Sequence, residues 1–281
     1  MISAETDKQL IVFSDLDGSL LDHNSYSWNE ATTALRLLAE RGIPLVLVSS
    51  KTLAELEDYR LRLGLEHPVV AENGAAIWVP PDYFVGSRIE FGPVETRARI
   101  QTVYKGIKAG RAFDCEAFYE LGVPGIVRET GLTEAEAARA NDRLASEPIR
   151  WRDSEERLAD FVRAAEGQNL RCVRGGRFLH LLGRTGKEEA VNRLLQAYSL
   201  ASPEKELMSV SLGDGPNDLG MLATTDIAVI IPGHHGQPMP LCSNNRVLRP
   251  AATGPAGWND AMLEILAEYS ASSAASNQNG E

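Results

Sequence analysis

The sequence predicts an α/β fold: a Rossmann-like parallel-sheet core with an inserted α+β cap domain. Short apolar runs alternate with helix signals through residues 10–79 and again after residue 187, as in strands joined by crossover helices. Between residues 84 and 183 the rhythm changes to helices and antiparallel strands. Finally, two acidic clusters each sit where a short buried strand ends, at the edge where open α/β sheets place their ligand crevice.

Leu10-Ile11-Val12-Phe13 is an unbroken apolar run and gives a first strand over residues 10–14. Ser27-Trp28-Asn29-Glu30 has capping-box spacing and precedes Ala31, Ala34, Leu35 and Leu38, which share one helical face before Gly42 stops the helix. Pro44-Leu45-Val46-Leu47-Val48 is the second strand. Thr52-Leu53-Ala54-Glu55 is another capping box, opening a helix that Gly64 ends. Runs at 68–71 and 75–79 flank Asn73-Gly74, a strong hairpin signal.

After Pro80-Pro81 the cap begins. Thr133-Glu134-Ala135-Glu136 caps a helix running towards Ser146, and Asp153-Ser154-Glu155-Glu156 caps one ending near Gly167. Runs at 170–174 and 178–182 flank Gly175-Gly176, a second hairpin. The core resumes with a helix opening at Lys187, strands at 208–212 and 227–231, and a helix near 258–269. Residues 271–281 are rich in Ser, Asn and Ala and read as a disordered tail. The expected domains are therefore a catalytic core of 1–83 with 184–270, a cap of 84–183, and that tail.

Composition narrows the function classes. At 281 residues, with 24% charged and 43% hydrophobic residues, the chain suits one large domain or two. A net charge of −11 argues against a nucleic-acid partner, because phosphate backbones are held by Lys/Arg stripes. It leaves room for a small phosphorylated substrate, since a metal and local cations can invert the field within one cleft. Cys115, Cys172 and Cys242 are odd in number and lack metal-site spacing, so free thiols in a reducing cytoplasm are expected. No signal peptide is visible and no apolar run approaches membrane-spanning length. A cytoplasmic protein without a membrane partner is the expectation; the oligomeric state is left open. His234 and His235 lie in a Gly/Pro-rich stretch with no third ligand nearby and read as a solvated loop.

The chemistry is carried by two acidic motifs. Asp15-Leu16-Asp17-Gly18-Ser19 follows the first strand, and Gly213-Asp214-Gly215-Pro216-Asn217-Asp218 follows a later one. Four carboxylates in one crevice repel unless a hard cation joins them, and Mg²⁺ takes such oxygen ligands. Ser49 adds a hydroxyl after the second strand, with Ser50 as the alternative, and Lys187 a cation at a helix start, where the dipole disfavours one unless it has a task. Phosphoryl transfer needs an in-line nucleophile, neutralised equatorial oxygens and a proton for the leaving group. Asp15 suits the nucleophile, Asp17 the general acid and then base, Ser49 and Lys187 the phosphoryl oxygens, and Asp214 and Asp218 the metal, Asp218 directly or through water. Gly18 lets the backbone turn tightly beside the phosphate. The lookalikes fail. Leu181 and Glu188 break a P-loop reading around Gly186-Lys187, and Asp218 breaks a dinucleotide fingerprint.

A carboxylate pair, a hydroxyl, a lysine and a second acidic pair, in that order, resemble the haloacid-dehalogenase-like phosphohydrolases across the whole ordered chain. The resemblance implies an aspartyl-phosphate intermediate on Asp15, Mg²⁺ as cofactor, metal contacts from Asp15, Asp17 (through its backbone carbonyl), Asp214 and Asp218, and a cap that sets specificity. More specific stretches are similar to the mannosyl-3-phosphoglycerate phosphatase family: residues 14–22, Ser49-Ser50-Lys51-Thr52, Glu72-Asn73-Gly74-Ala75-Ala76-Ile77, Arg143 with Ser146-Glu147-Pro148, and Gly175-Gly176-Arg177-Phe178-Leu179-His180. That resemblance implies hydrolysis of mannosyl-3-phosphoglycerate or its glucosyl counterpart to a glycosylglycerate, a compatible solute, and phosphate. Lys51, Asn73, Arg143, Glu147 and Arg177 are the substrate-binding residues expected, Arg forks suiting the carboxylate. A phosphatase of another sugar or polyol phosphate is the alternative, and a phosphomannomutase-like phosphotransferase a further one. Glu188, where the family commonly has glycine, and Pro216 depart from the pattern without removing a catalytic group.

Overall fold

The computed structural model describes residues 8–85, 91–175, 177–233, 239–240 and 246–278, with side chains through residue 271. The expectations for the first seven residues, Gly176, His234, His235, Cys242 and residues 279–281 lie outside the described residues.

The chain opens with β1 (Lys8–Ser14), which is buried from Leu10 onward. A 3-10 turn (Asn29–Ala31) leads into α1 (Thr32–Glu40). The capping box expected at Ser27 does not form. Ser27 Oγ accepts from the Asn29 N–H at 3.2 Å, two residues on rather than three, and this local turn competes with the helical cap. The helix is tied down instead by Asn259, whose Oδ1 accepts the Ala34 N–H at 3.1 Å. β2 (Leu45–Val48) is wholly buried. α2 (Leu53–Leu63) starts in a complete Thr52–Glu55 capping box and ends at Gly64, whose φ is 64°. β3 (Val69–Ala71) and β4 (Ala76–Trp78) pair antiparallel with Ala71 opposite Ala76. The expected hairpin is present, with residues 72–75 as its connection rather than a two-residue turn. Glu72, Asn73 and Gly74 all adopt positive φ, 53°, 57° and 94°.

α3 (Arg97–Arg111), β5 (Cys115–Ala117) and α4 (Phe118–Thr130) follow, the last broken at Gly122. α5 (Glu134–Asn141) has the expected capping box at Thr133 but stops at Asn141, short of Ser146. Ser146 instead opens β6 (Ser146–Trp151), because Arg143 and Ser146 turn inward to polar partners described below. α6 (Glu155–Glu166) is capped by Ser154, and β7 (Leu170–Arg174) and β8 (Leu179–Gly183) form the second hairpin. α7 (Lys187–Ala201), β9 (Glu206–Gly213), α8 (Leu219–Thr224), β10 (Ile227–Ile230), β11 (Arg246–Leu248) and α9 (Gly254–Gln278) complete the chain. The tail expectation is corrected in part: α9 runs on to Gln278, since residues 271–278 hold no Gly or Pro to end it.

Two compact units result, Met1–Val48 with Pro80–Ile89 and Val191–Glu281, and Ser49–Val79 with Glu90–Ala190. The division differs from the expected core and cap: residues 49–79 group with the insert. Hydrogen bonds explain why, since Thr52 Oγ1 donates to the Arg139 carbonyl at 2.8 Å and Glu72 accepts from residues 144–146.

The first unit is built on parallel strands in the order β11-β10-β9-β1-β2, the parallel-sheet core of the predicted α/β class. β1 lies between β9 and β2, so Asp15 and Asp214 both emerge at the same sheet edge. Trp258 of α9 is fully buried beneath it. In the second unit, β5-β6-β8-β7 form an antiparallel sheet. One face packs Ile149, Leu170, Leu179 and Leu181 against Ile100 and Tyr104 of α3 and Phe161 of α6. On the opposite face Leu182 packs with Ala75 and Ala145. Cys115 and Cys172 are free thiols, and burial raises both, Cys172 to about 12, which leaves them protonated at neutral pH. Among the described residues no helix is long and apolar enough to cross a membrane.

Candidate active site

The acidic motifs meet in the first unit. The Asp15 N–H continues the β1–β9 ladder by donating to the Leu212 carbonyl at 2.9 Å, which fixes its backbone to the strand that delivers Asp214. Its carbonyl accepts from Ser14 Oγ at 2.7 Å, and Ser14 Oγ accepts from Trp258 Nε1 at 2.9 Å. The loop then closes tightly: Gly18 donates to the Leu21 carbonyl and Leu21 to the Leu16 carbonyl. Gly18 has φ 85°, and a Cβ there would lie 2.9 Å from Asp214 Cγ. Only glycine fits, for both reasons. Ser19 Oγ reaches Asp214 Oδ1 at 3.3 Å.

Asp218 is buried and holds the second motif in shape, its Oδ2 accepting the Asp214 N–H at 3.1 Å and the Gly215 N–H at 2.9 Å. Carboxylate oxygens of Asp15, Asp214 and Asp218 all lie within 4.8 Å of one another. Like charges so close and so little hydrated are costly unless a cation joins them. The donor set is all oxygen and the space beside it is kept clear by Gly18, so these residues fit Mg²⁺. Asp17 stands outside this trio of carboxylates.

The second unit carries the hydroxyl and the lysine. Ser49 is buried; its N–H donates to the Val70 carbonyl at 2.9 Å and its carbonyl accepts the Asn73 N–H at 2.9 Å. The Lys51 N–H reaches Ser49 Oγ at 3.3 Å, and the Lys51 carbonyl accepts the Glu72 N–H at 2.8 Å. The Ser49–Lys51 turn and the Glu72–Gly74 turn are thus laced together by backbone. Gly74 approaches the start of α7 so closely that a Cβ would overlap the Gly186 carbonyl and lie 2.8 Å from the Lys187 nitrogen. Thr185 Oγ1 donates to the Gly74 carbonyl at 3.3 Å. Lys187 is 1% exposed, so it is not a solvated helix-start lysine. The unit therefore groups Ser49, Lys51, Asn73 and Lys187 around one pair of turns.

Residues 12–96 match the haloacid dehalogenase-like hydrolase family. Over 267 residues, 91% of this chain and 97% of the relative, the sequence is 35% identical to a glucosyl-3-phosphoglycerate/mannosyl-3-phosphoglycerate phosphatase of Methanococcoides burtonii. The chain belongs to the mannosyl-3-phosphoglycerate phosphatase family. It is a phosphoric monoester hydrolase of the haloacid dehalogenase-like superfamily. Solved structures share the fold. A phosphatase of this superfamily from Bacteroides thetaiotaomicron matches with TM-score 0.65 and 17% identity, over 96% of this chain and 98% of its own. The sucrose-phosphatase of Synechocystis, in complex with sucrose and phosphate, matches with TM-score 0.61 and 16% identity over 94% of this chain and 98% of its own.

The residues expected to bind substrate fall in different settings within this family member. Arg143 is buried, donating from Nε to the Ala140 carbonyl at 3.1 Å and from Nη1 to the Ser50 carbonyl at 3.2 Å and Ser146 Oγ at 3.0 Å. Glu147 has no exposed surface, and its oxygens accept from Arg97 Nε at 2.8 Å, Gln101 Nε2 at 2.8 Å and the Tyr119 N–H at 3.1 Å. Both side chains brace the protein, Glu147 with both oxygens engaged and Arg143 through Nε and Nη1, its Nη2 making no hydrogen bond among the described residues. Arg177 is exposed and donates to the Thr130 carbonyl at 3.0 Å.

Glu72 stands in one of the family-like stretches, but its role is one that sequence reasoning misses. It is fully buried, with Oε1 accepting the Leu144 N–H at 2.8 Å and Oε2 accepting the Ala145 N–H at 3.1 Å and Ser146 Oγ at 2.6 Å. A lone acid within the apolar stretch 69–77 is the available signal. Through Ser146 it shares a network with Arg143, which fixes the Ser49–Lys51 turn from two sides.

His180 is buried beside Arg143, and burial first, then that guanidinium, push it down to about 3. Its Nδ1 has no hydrogen-bond partner among the described residues. The folded state therefore favours neutral imidazole, while the unfolded chain protonates near 6.5. Its contribution is fully present above that unfolded value and is lost as pH falls towards the folded one. Between about pH 7 and pH 5 that loss is about 2 kcal/mol. In His180→Leu the fall in unfolding free energy over this interval should shrink by that amount, measured by urea titration at both pH values. An unchanged fall would mean that His180 is not buried neutral.

Proposed function

We propose that this enzyme hydrolyses mannosyl-3-phosphoglycerate, or its glucosyl counterpart, to the glycosylglycerate and inorganic phosphate through an aspartyl-phosphate on Asp15. The reading rests on the match to a relative of that activity over nearly the full length of both chains. The chain's residues divide the work. An Asp15 oxygen attacks phosphorus as the bond to the glycerate oxygen breaks, and Asp17 gives that oxygen its proton. Asp17, now a carboxylate, takes a proton from the water that attacks the aspartyl-phosphate, and the bond from phosphorus to Asp15 breaks. Ser49 and Lys187 hold the phosphoryl oxygens, with Lys51 and Asn73 beside them in the same pair of turns.

Asp15, Asp214 and Asp218, with the Asp17 carbonyl, would hold Mg²⁺, which neutralises the charge gathered on carboxylates and phosphoryl oxygens. Residues 84–183 serve as the cap that selects the substrate. The test is a panel of phosphorylated metabolites assayed with Mg²⁺ and with chelator, in ¹⁸O-labelled water. The glycosyl-3-phosphoglycerates should be turned over best, chelation should abolish the activity, and one labelled oxygen should enter each phosphate released. A clear preference for another sugar or polyol phosphate would sink the substrate assignment, and unlabelled phosphate with transfer to sugar would sink the hydrolysis.

A further inference from the structure

We propose that Arg171 is a specificity-determining residue that binds the substrate's carboxylate, with Glu188 as the residue that positions it; this rests on the reading that Lys187 holds the phosphoryl group. Arg171 lies on β7 opposite Leu182, which is itself opposite Ser146 on β6. Directly opposed residues share a sheet face. That face meets the Glu72–Gly74 turn, where Leu182 packs on Ala75 and Ser146 bonds to Glu72. Arg171 Nη1 then donates to the Thr185 carbonyl at 3.2 Å and to Glu188 Oε1 at 3.0 Å, crossing over Gly186. A Cβ on Gly186 would lie 2.5 Å from that nitrogen, so the backbone next to Lys187 is kept bare for the guanidinium.

What remains of the guanidinium is its Nε–Nη2 edge, which makes no hydrogen bond among the described residues, on a side chain 41% exposed. Such an edge presents two parallel donors, the fork that matches a carboxylate. In a 3-phosphoglycerate the carboxylate and the phosphate sit at the two ends of a three-carbon unit, a span of about 5 Å by ordinary bond geometry. The Arg171 crossing at Gly186 lies next in the chain to the buried Lys187. Glu188 holds Nη1 and thereby turns the other edge outward. Arg143, by contrast, is buried and has Nε as well as Nη1 engaged by protein oxygens, which leaves no such edge.

The test compares mannosyl-3-phosphoglycerate with its methyl ester, which keeps the phosphate and sugar but removes the carboxylate charge. The wild type should favour the acid in kcat/KM. Arg171→Ala should lower the acid-to-ester ratio roughly ten- to hundredfold, the range for a charge-assisted hydrogen-bonded contact. Arg171→Lys should recover part of the ratio, and Glu188→Gln should lower it less than Arg171→Ala. A parallel loss on acid and ester, leaving the ratio unchanged, would overturn the inference, as would a wild type that does not prefer the acid. If Arg171→Ala folds poorly by circular dichroism, Arg171→Gln gives the same reading. Should the wild type reject both glycosyl compounds, the proposed substrate fails, and the ratio is read instead on 3-phosphoglycerate and its methyl ester.

Discussion

Asp15→Asn should abolish turnover, by ~10³-fold or more, while the fold stays intact. The amide keeps the size of the side chain and its place at the end of β1, but it is a poor nucleophile and cannot form the acyl phosphate. The substitution also removes one negative charge from three carboxylates whose oxygens lie within 4.8 Å of one another. Without metal, the variant should therefore be at least as stable as the wild type, because like-charge repulsion is relieved. With metal, its gain in melting temperature should be smaller, because one anionic ligand is lost. Melting curves with and without Mg²⁺ check both signs. Residual turnover, after deamidation back to Asp is ruled out by mass spectrometry, would remove Asp15 from the nucleophile role.

The sequence is legible where the chemistry sits at ends of regular elements. Asp15 follows the unbroken apolar run of residues 10–13, Asp214 follows the short strand segment 208–212, in which serine alternates with apolar residues, and Lys187 begins a helix. Such positions are set by local pattern, so reading them needs no knowledge of distant partners. The Thr52–Glu55 and Thr133–Glu136 capping boxes are legible for the same reason. Ser27 shows the limit: the same spacing is present, but its hydroxyl closes a shorter turn.

The cap is less legible because its polar residues are sorted by tertiary contacts. Arg143 and Glu147 have the composition of ligand-binding residues. Arg143 Nη1 and both Glu147 oxygens are engaged by Ser50, Ser146, Arg97 and Gln101, partners 3 to 93 positions away in the chain. Burying such charges is tolerable only when they are paired and hydrogen-bonded, which the structure achieves. Arg171 offers the reverse case. Nothing in its sequence neighbourhood singles it out, and the pairing register of β7 with β8 and β6 is what brings it beside α7.

Gly74→Ala should disable the enzyme without touching a charged or nucleophilic group. Two costs add at this position. With φ at 94°, an alanine is strained in the backbone, and its Cβ would overlap the Gly186 carbonyl and lie 2.8 Å from the Lys187 nitrogen. The opposing atoms are backbone, so no side-chain rotation relieves the overlap. Either the turn or the start of α7 must shift. Unfolding free energy should fall by about 3 kcal/mol, from positive-φ strain together with the clash. Because the shift separates the Ser49–Asn73 turn from Lys187, kcat should fall by roughly 10²-fold even in the folded fraction. Gly42→Ala is the control, since Gly42 has φ 61° but nothing within 4 Å of its Cβ. That substitution should cost only about 1–2 kcal/mol of backbone strain and leave kcat unchanged. Urea titration and steady-state kinetics on both variants separate the terms. If Gly74→Ala loses no more activity than Gly42→Ala, the close approach of this turn to α7 does not set the position of the lysine.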